Sequence, residues 1–250
     1  MSRRVGNPTG PVPSPQSVLK LEPTRRLDSR AFDLKCIAFS PDGLLIASGG
    51  FKLGRLDTGI VQLWEVQTGK EIRLFEADAR FISEVAFSPD KHTIASGSAE
   101  GPIVLWDAET GKAIRSLLDG TEVVTTVAFS PDGRWIATNG AGGTVMIWDV
   151  QTVKPITTIT GHTNIVTSVA ISLDGRLVAS GSYDGSVLLW DMHAGKQTWR
   201  FDANMGHVLT VAFSSDGRRV AAGGGRLLPV GALEDPFEFG MRKLESRSVR

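Results

Sequence analysis

The sequence predicts an all-β protein built from repeated four-stranded units. A tryptophan followed by an acidic residue recurs every 42 residues, at Trp64, Trp106, Trp148 and Trp190. About 19 residues before most of these tryptophans lies a second marker, which reads Phe87-Ser88-Pro89-Asp90 in one unit. Related markers begin at Phe39, Phe129, Ile171 and Phe213. Short apolar runs with turn signals every 8–12 residues are typical of β-strands, and a fixed period of this length indicates repeated supersecondary units.

Each unit divides into four short strands, and the fourth unit shows the division most clearly. Its predicted strands run from Ile165 to Ile171, Arg176 to Ser180, Val187 to Asp191 and Thr198 to Phe201. The turns between them are predicted at Ser172-Leu173-Asp174-Gly175, Tyr183-Asp184-Gly185 and Ala194-Gly195-Lys196. Glycine favours these turns because it accepts a positive φ. Helical periodicity is absent from the repeat region.

The two ends of the chain depart from the repeat. Residues Met1 to Ser17 contain four prolines and no periodicity, which predicts a disordered leader. Val18 to Leu27 predicts a lone strand in the register of the last strand of each later unit. After Gly225 the fifth unit lacks a tryptophan, and Pro229 stands where a strand needs an N–H donor. We therefore expect a repeat domain over residues 18–225 and an irregular tail over residues 226–250.

On these motifs the chain resembles the WD-repeat family of β-propellers. The resemblance covers roughly Val18 to Gly225 and implies four full four-stranded blades plus a partial fifth around a central axis. Two arrangements of the ends stay open. The early strand could join the last blade and close an imperfect five-bladed ring, which its regular register favours. Alternatively, the chain is a truncated copy of a larger propeller with an exposed sheet edge.

The resemblance also implies a buried polar tetrad in the fourth unit, formed by His162, Ser180, Asp184 and Trp190, with Ser182 as the alternative serine. In such a tetrad the histidine ring bridges a carboxylate and the indole N–H, which satisfies polar groups inside an apolar blade. The histidine position of the other units holds Arg30, Asp78, Gly120 or Asn204. We expect those units to depend on apolar packing and backbone ladders, and to open more readily.

The motifs argue against catalysis, cofactors and metals. The sequence contains no phosphate-binding loop, no Gly-x-Ser-x-Gly elbow and no His-Glu-x-x-His helix. Its four histidines show no metal-ligand spacing. A rival interpretation, an enzyme that uses the propeller channel, needs convergent titratable residues in the first strands, where Glu84 and Lys35 are scattered exceptions. Cys36, the sole cysteine, lies in an apolar run and is expected to be a small buried hydrophobe.

Charge and hydropathy limit the classes of partner and the cellular location that we expect. Lysine plus arginine and aspartate plus glutamate each number 27, so no broad field steers the chain to nucleic acid or acidic membrane. No run approaches the roughly 18 apolar residues of a membrane span. No apolar segment follows Arg3 and Arg4, so we expect no secretory signal. A single cysteine suits a reducing compartment. We therefore expect a cytoplasmic protein.

The resemblance implies a non-catalytic scaffold that binds other proteins or peptides through its loop face. The first unit holds about six extra residues, from Phe51 to Asp57, between its second and third strands. Interface anchors are commonly aromatic with arginine alongside. The partner-binding candidates on this face are Phe51, Lys52, Arg55, Arg80, Phe81 and Tyr183. The alternative is a loop packed on its own blade and an ordinary exposed rim.

Overall fold

Antiparallel β-sheets account for most of the residues that the computed structural model describes. The structure describes residues 27, 29, 31–52, 58–99, 102–117, 123–203, 206–225 and 238–243. Within these ranges the sole helical element is one 3-10 turn at Ala141–Gly143, and no helix is long and apolar enough to cross a membrane. The leader over residues 1–17 and most of the early strand predicted over residues 18–27 lie outside the described residues.

The strands form five sheets, each of which is one blade. The first blade contains β1 (Ala31–Phe39), β2 (Leu45–Lys52), β3 (Gly59–Glu65) and β4 (Glu71–Ala77). The second contains β5 (Phe81–Phe87), β6 (Thr93–Ala99), β7 (Ile103–Asp107) and β8 (Ala113–Leu117). The third contains β9 (Val127–Phe129), β10 (Trp135–Gly140), β11 (Thr144–Asp149) and β12 (Lys154–Thr160). The fourth contains β13 (Val166–Ile171), β14 (Leu177–Ser182), β15 (Ser186–Asp191) and β16 (Lys196–Asp202).

The fifth blade is a three-stranded sheet of β17 (His207–Phe213), β18 (Arg219–Gly225) and β19 (Glu238–Lys243). In β19, Arg242 stands opposite Val220 and Gly240 opposite Ala222. The prediction of an irregular tail over residues 226–250 is therefore wrong for residues 238–243, because β18 offers a free edge that this segment pairs with. The prediction of an all-β propeller with four full blades and a partial fifth is confirmed.

The blades follow one another around a common axis. The first strand of each blade packs against the first strand of the next, from β1 through β5, β9 and β13 to β17. These strands form the inner wall, and the fourth strands of the full blades lie outermost. Among the described residues no comparable packing joins β17 back to β1. Among the described strands the five blades therefore form an arc, whose first and last members each pack against one other blade.

The recurring Ser-x-Asp marker builds the turn between the first two strands of each blade. In the fourth blade the Ser172 hydroxyl donates to Asp174 at 2.6 Å, and it accepts the backbone N–H of Leu177 at 2.9 Å. The hydrogen bond from Ser172 helps to hold the pKa of Asp174 below its usual range. The same bond to aspartate forms in all five turns. The marker is therefore explained by local hydrogen bonding.

Apolar side chains at the inner strands of the second, third and fifth blades each fill a recess in the preceding blade. A Cβ atom at Gly181 of β14 would lie 2.5 Å from a methyl carbon of Val208 in β17. Gly49 and Gly97 stand at the equivalent positions, where a Cβ atom would lie 2.5 Å from Ile82 and 2.7 Å from Val124. Glycine at these sites lets neighbouring sheets approach, and the four interfaces between blades are the hydrophobic core.

Hydroxyl groups of the inner strands add a second connection between blades. The Thr167 hydroxyl donates to the Val208 carbonyl at 2.7 Å, and the Val211 N–H donates to Ser168 Oγ at 3.1 Å. The same two bonds join the third and fourth blades, from Thr125 to Val166 at 2.9 Å and from Val169 to Thr126 at 3.0 Å. The interface between the fourth and fifth blades thus combines a filled recess with two hydrogen bonds.

Candidate functional site

The four residues proposed as a tetrad lie in one continuous chain of hydrogen bonds inside the fourth blade. The Trp190 indole N–H donates to Ser180 Oγ at 2.9 Å. Ser180 Oγ lies 2.7 Å from His162 Nε2, and His162 Nδ1 lies 3.0 Å from Asp184 Oδ2. A carboxylate only accepts, so Nδ1 carries the proton and Nε2 accepts from the serine hydroxyl. The histidine therefore reaches the indole through Ser180 and not directly.

Burial and hydrogen bonding fix the charges of this tetrad. Burial lowers the pKa of His162 below its usual value, which keeps the imidazole neutral near pH 7. Burial acts to raise the pKa of Asp184, but hydrogen bonds from Ser186 and from the Thr163 N–H outweigh it and lower that pKa to about 2. The ionised carboxylate thus accepts bonds from four donors of three residues. The tetrad is a closed structural network with no group turned toward a ligand.

Sequence reasoning missed Ser186 as a fifth member of this network. The Ser186 hydroxyl donates to Asp184 Oδ1 at 2.6 Å and lies 3.1 Å from His162 Nδ1. The Asp-Gly-Ser order gave a usable signal, because an aspartate often accepts bonds from the residue two positions later in a turn. Ser182, the alternative tetrad serine, bonds instead to the Asn164 carbonyl at 3.1 Å.

The other full blades keep the half of the network nearest the tryptophan. The indole N–H groups of Trp64, Trp106 and Trp148 donate to hydroxyls of Ser48, Ser96 and Thr138, at 2.9, 2.8 and 3.1 Å. In the second blade the histidine position holds Asp78, whose side chain is exposed. These blades therefore depend on apolar packing, on backbone hydrogen-bond ladders and on one buried hydroxyl in each blade. The sequence reasoning did not identify that hydroxyl.

A cavity of about 570 Å³ opens on the loop face between the third, fourth and fifth blades. Its apolar lining comes from Val123, Ile165, Tyr183 and Leu209, which are all exposed. Thr125, Thr167 and Asn139 supply the polar part of the lining. The Asn139 side chain accepts from the Thr125 N–H at 2.7 Å and donates to the Val123 carbonyl at 2.8 Å, which holds it in place. The cavity is thus mainly apolar with firmly positioned walls.

The predicted partner-binding residues divide between two parts of the loop face. Tyr183 lines the cavity, and its ring meets that of His207 edge-on with centroids 5.0 Å apart. Phe51 and Lys52 end β2, where Lys52 pairs with Glu76. Arg80 is exposed just before Phe81, the partly buried first residue of β5. These four residues do not line the cavity, and Arg55 lies outside the described residues.

The sequence reasoning missed the other apolar residues of this cavity. Val123 and Ile165 precede the inner strands at the same repeat position as Phe81. Leu209 stands where the preceding inner strands carry Ser83, Thr125 and Thr167. The sequence did contain a signal for this cavity, because a leucine stands at a repeat position that otherwise holds hydroxyl residues. It places a large apolar side chain at the channel mouth.

Two titratable groups lie together where the first and second blades meet. Burial raises the pKa of Glu84 to about 7. Burial, followed by the charge of Glu84, raises the pKa of Cys36 to about 12, so the thiol stays protonated and is a poor nucleophile. Cys36 is partly buried and packs on the core between these blades. Lys35 pairs with Asp33 at 2.6 Å. Across the described ranges, no group of three or more histidine, cysteine or acidic residues could hold a metal ion.

The repeated blades and the indole-centred hydrogen bonds define a repeat β-propeller. The family model described as WD domain, G-beta repeat, matches residues 21–65, 69–107, 111–149, 153–191 and 195–227. The chain therefore belongs to the WD-repeat family, and the resemblance seen in its sequence is confirmed.

Two curated relatives share short stretches with the chain. Periodic tryptophan protein 2 of Arabidopsis thaliana is 29% identical over 72 residues, which are 29% of this chain and 7% of that protein. Small ribosomal subunit protein RACK1 of Candida albicans is 34% identical over 68 residues, which are 27% of this chain and 19% of that protein. The matches thus span well under two thirds of either relative.

Proposed function

We propose that the chain is a non-catalytic, cytoplasmic scaffold that binds other proteins or peptides through the loop face of its propeller. The observation that carries this proposal is the cavity lined by Val123, Ile165, Tyr183 and Leu209. Ligand sites are usually preformed concave surfaces with mainly apolar walls and a few fixed polar groups. Strand ends held by packed blades also lose little freedom when a partner binds.

The lining indicates what kind of group enters the cavity. The Thr125 and Thr167 hydroxyls already donate to backbone carbonyls of the next blade, and the Asn139 side chain is bound within its own blade. The apolar side chains and the Tyr183 phenol then provide most of the recognition. We therefore assign the cavity to an apolar side chain of a peptide or loop, anchored against Tyr183.

The remaining candidates fit the rim of the same interface. Phe51, Lys52, Arg80 and Phe81 belong to the first and second blades, at repeat positions on the same loop face as Tyr183 and Ile165. Arg55, which the sequence predicts to follow them in the loop after Lys52, joins them in this proposal. A partner that anchors in the cavity and extends across the channel mouth meets this second group. With 27 basic and 27 acidic residues, the chain offers no broad positive surface, so we assign the partner to protein rather than nucleic acid or membrane.

The experiment is a pull-down from native extract with three variants. Ile165→Asp places a charge in the cavity wall and should abolish recovery of the specific partner, while Phe51→Ala combined with Arg80→Ala should weaken it. Leu173→Asp is the matched control, because Leu173 is an exposed apolar residue in a turn on the opposite face. Unchanged recovery of every partner by the cavity variant would defeat the site assignment.

An alternative function is that of a segment within a larger WD-repeat protein. The missing packing between β17 and β1 favours this alternative, because within the described part of the chain both end blades leave a face without a neighbouring blade. Isolated chain that fails to give a sharp thermal unfolding transition, but gains one when joined to further repeats, would support it.

A further inference from the structure

The two end faces of the arc are matching halves of one interface. We propose that the first blade of one copy of this chain docks on the fifth blade of a second copy, so that copies join head to tail. The contact would repeat the filled recess that the chain already forms three times between its own blades, at Gly49, Gly97 and Gly181. Both halves belong to the described residues, and neither packs on a neighbouring blade.

The first half lies on β1. Ile37 occupies the repeat position of Val85, Val127, Val169 and Val211. Those valines are 3–6% exposed because each fits into the preceding blade, whereas Ile37 is 65% exposed. Leu34 is 42% exposed, although its counterparts, which include Val166 and Val208, are at most 1% exposed. The side chains at these two positions are buried in the later blades. In the first blade both are exposed.

The second half lies on the fifth blade. Ala38, Ala86, Ala128 and Ala170 each pack against the core shared with the following blade, but Ala212 at the same position is exposed. Ala221 is partly buried, while its four counterparts Ala47, Ala95, Ala137 and Ala179 are 0% exposed. Gly223 aligns with Gly49, Gly97 and Gly181, yet a Cβ atom there would meet only Thr210 of its own blade.

The contacts between two copies can be inferred from the interfaces between blades within one chain. Gly181 receives Val208, so Gly223 would receive Leu34, and Ile37 would lie beside it as Val211 does. Ser168 accepts the N–H of Val211, and the exposed Thr210 has the position to accept the N–H of Ile37. Leu209 stands where other inner strands carry the hydroxyl residue that donates the second hydrogen bond between blades. That hydrogen bond would therefore be absent. The docked interface would thus keep the apolar contacts and one of the two hydrogen bonds.

A second copy is the occupant because one chain carries both surfaces at opposite ends. Such a contact is heterologous, so it forms either a closed ring or an open-ended assembly whose length depends on concentration. Propellers typically have four to eight blades in a closed ring. Two copies contribute ten blades, so an open-ended assembly is the expected form.

The first test is the mass of the purified chain by analytical ultracentrifugation, from about 1 to 200 μM. The weight-average mass should rise with concentration. Ile37→Asp and Ala212→Asp should each weaken association at least tenfold without lowering the Tm, since both side chains are exposed. Ile114→Asp, at an exposed apolar site on the outer strand β8, is the matched control and should associate like the unaltered chain.

A mixing experiment distinguishes head-to-tail contact from other contacts. The Ile37→Asp chain keeps an intact fifth blade, and the Ala212→Asp chain keeps an intact first blade. Each variant alone should be monomeric, and an equimolar mixture should stop at a dimer containing one of each. A monomer at every concentration would overturn the proposal. Substitutions that lower the Tm without changing the mass would assign the contact to closure within one chain, and would overturn it as well.

Discussion

The Ser180 hydroxyl serves two buried partners at once, and its removal measures what the tetrad contributes. Ser180 is 0% exposed, and Ser180→Ala leaves both the Trp190 indole N–H and His162 Nε2 without a partner. An unsatisfied buried polar group costs about 1–3 kcal/mol. We therefore expect the free energy of unfolding to fall by about 3 kcal/mol, measured by urea denaturation with tryptophan fluorescence and an unchanged m value.

Ser96 provides the matched control in the second blade. It is 1% exposed and accepts the Trp106 indole at 2.8 Å, but the histidine position of its blade holds Asp78. Ser96→Ala should cost about 1.5 kcal/mol, and Ser180→Thr should retain most of the stability because a threonine performs the role in the third blade. Equal losses for the two alanine variants would refute the assignment of a stabilising histidine bond.

Three further outcomes follow from groups inside the propeller. Because burial raises the pKa of Glu84 from 4.5 to about 7, the folded state binds that proton more tightly, and stability falls by up to about 3 kcal/mol between pH 4.5 and 7. Glu84→Gln should remove this part of the pH dependence of the free energy of unfolding, measured by urea denaturation at pH 5 and 8. Gly181→Ala puts a Cβ atom 2.5 Å from Val208 and should lower the free energy of unfolding by about 1–3 kcal/mol, while Gly223→Ala should cost less. Native Cys36, with its pKa raised to about 12, should react with iodoacetamide at pH 8 at least about a hundredfold more slowly than the unfolded chain.

Local features of the blades were readable from the sequence because local chemistry determines them. The third strand predicted over Val187 to Asp191 differs by one residue from β15, Ser186–Asp191. The Ser172 and Asp174 side chains close a turn through contacts within five residues. Repetition of such short-range patterns was enough to predict four-stranded units, and with the family resemblance it gave the number of full blades.

Features that depend on distant neighbours were not readable. Ile37 lies in an apolar run like that around Val169, yet Ile37 is exposed and Val169 is buried, because packing against the preceding blade decides burial. The strand Glu238–Lys243 has no tryptophan and follows β18 after a long connection, so the repeat gave no register for it. The cavity also joins residues from three blades, and only Tyr183 among them stood out as an aromatic residue in a turn.

The unjoined ends of the arc bear on how the molecule loses its structure. When units touch only their immediate neighbours, stability is the sum of each unit and the contacts on its two sides. Among the described strands the fourth blade has a neighbour on both sides, whereas the first and fifth blades have one. Fraying should therefore begin at either end and advance inward, and the last amide protons to exchange with solvent should be those of β14 and β15, whose blade also holds the tetrad.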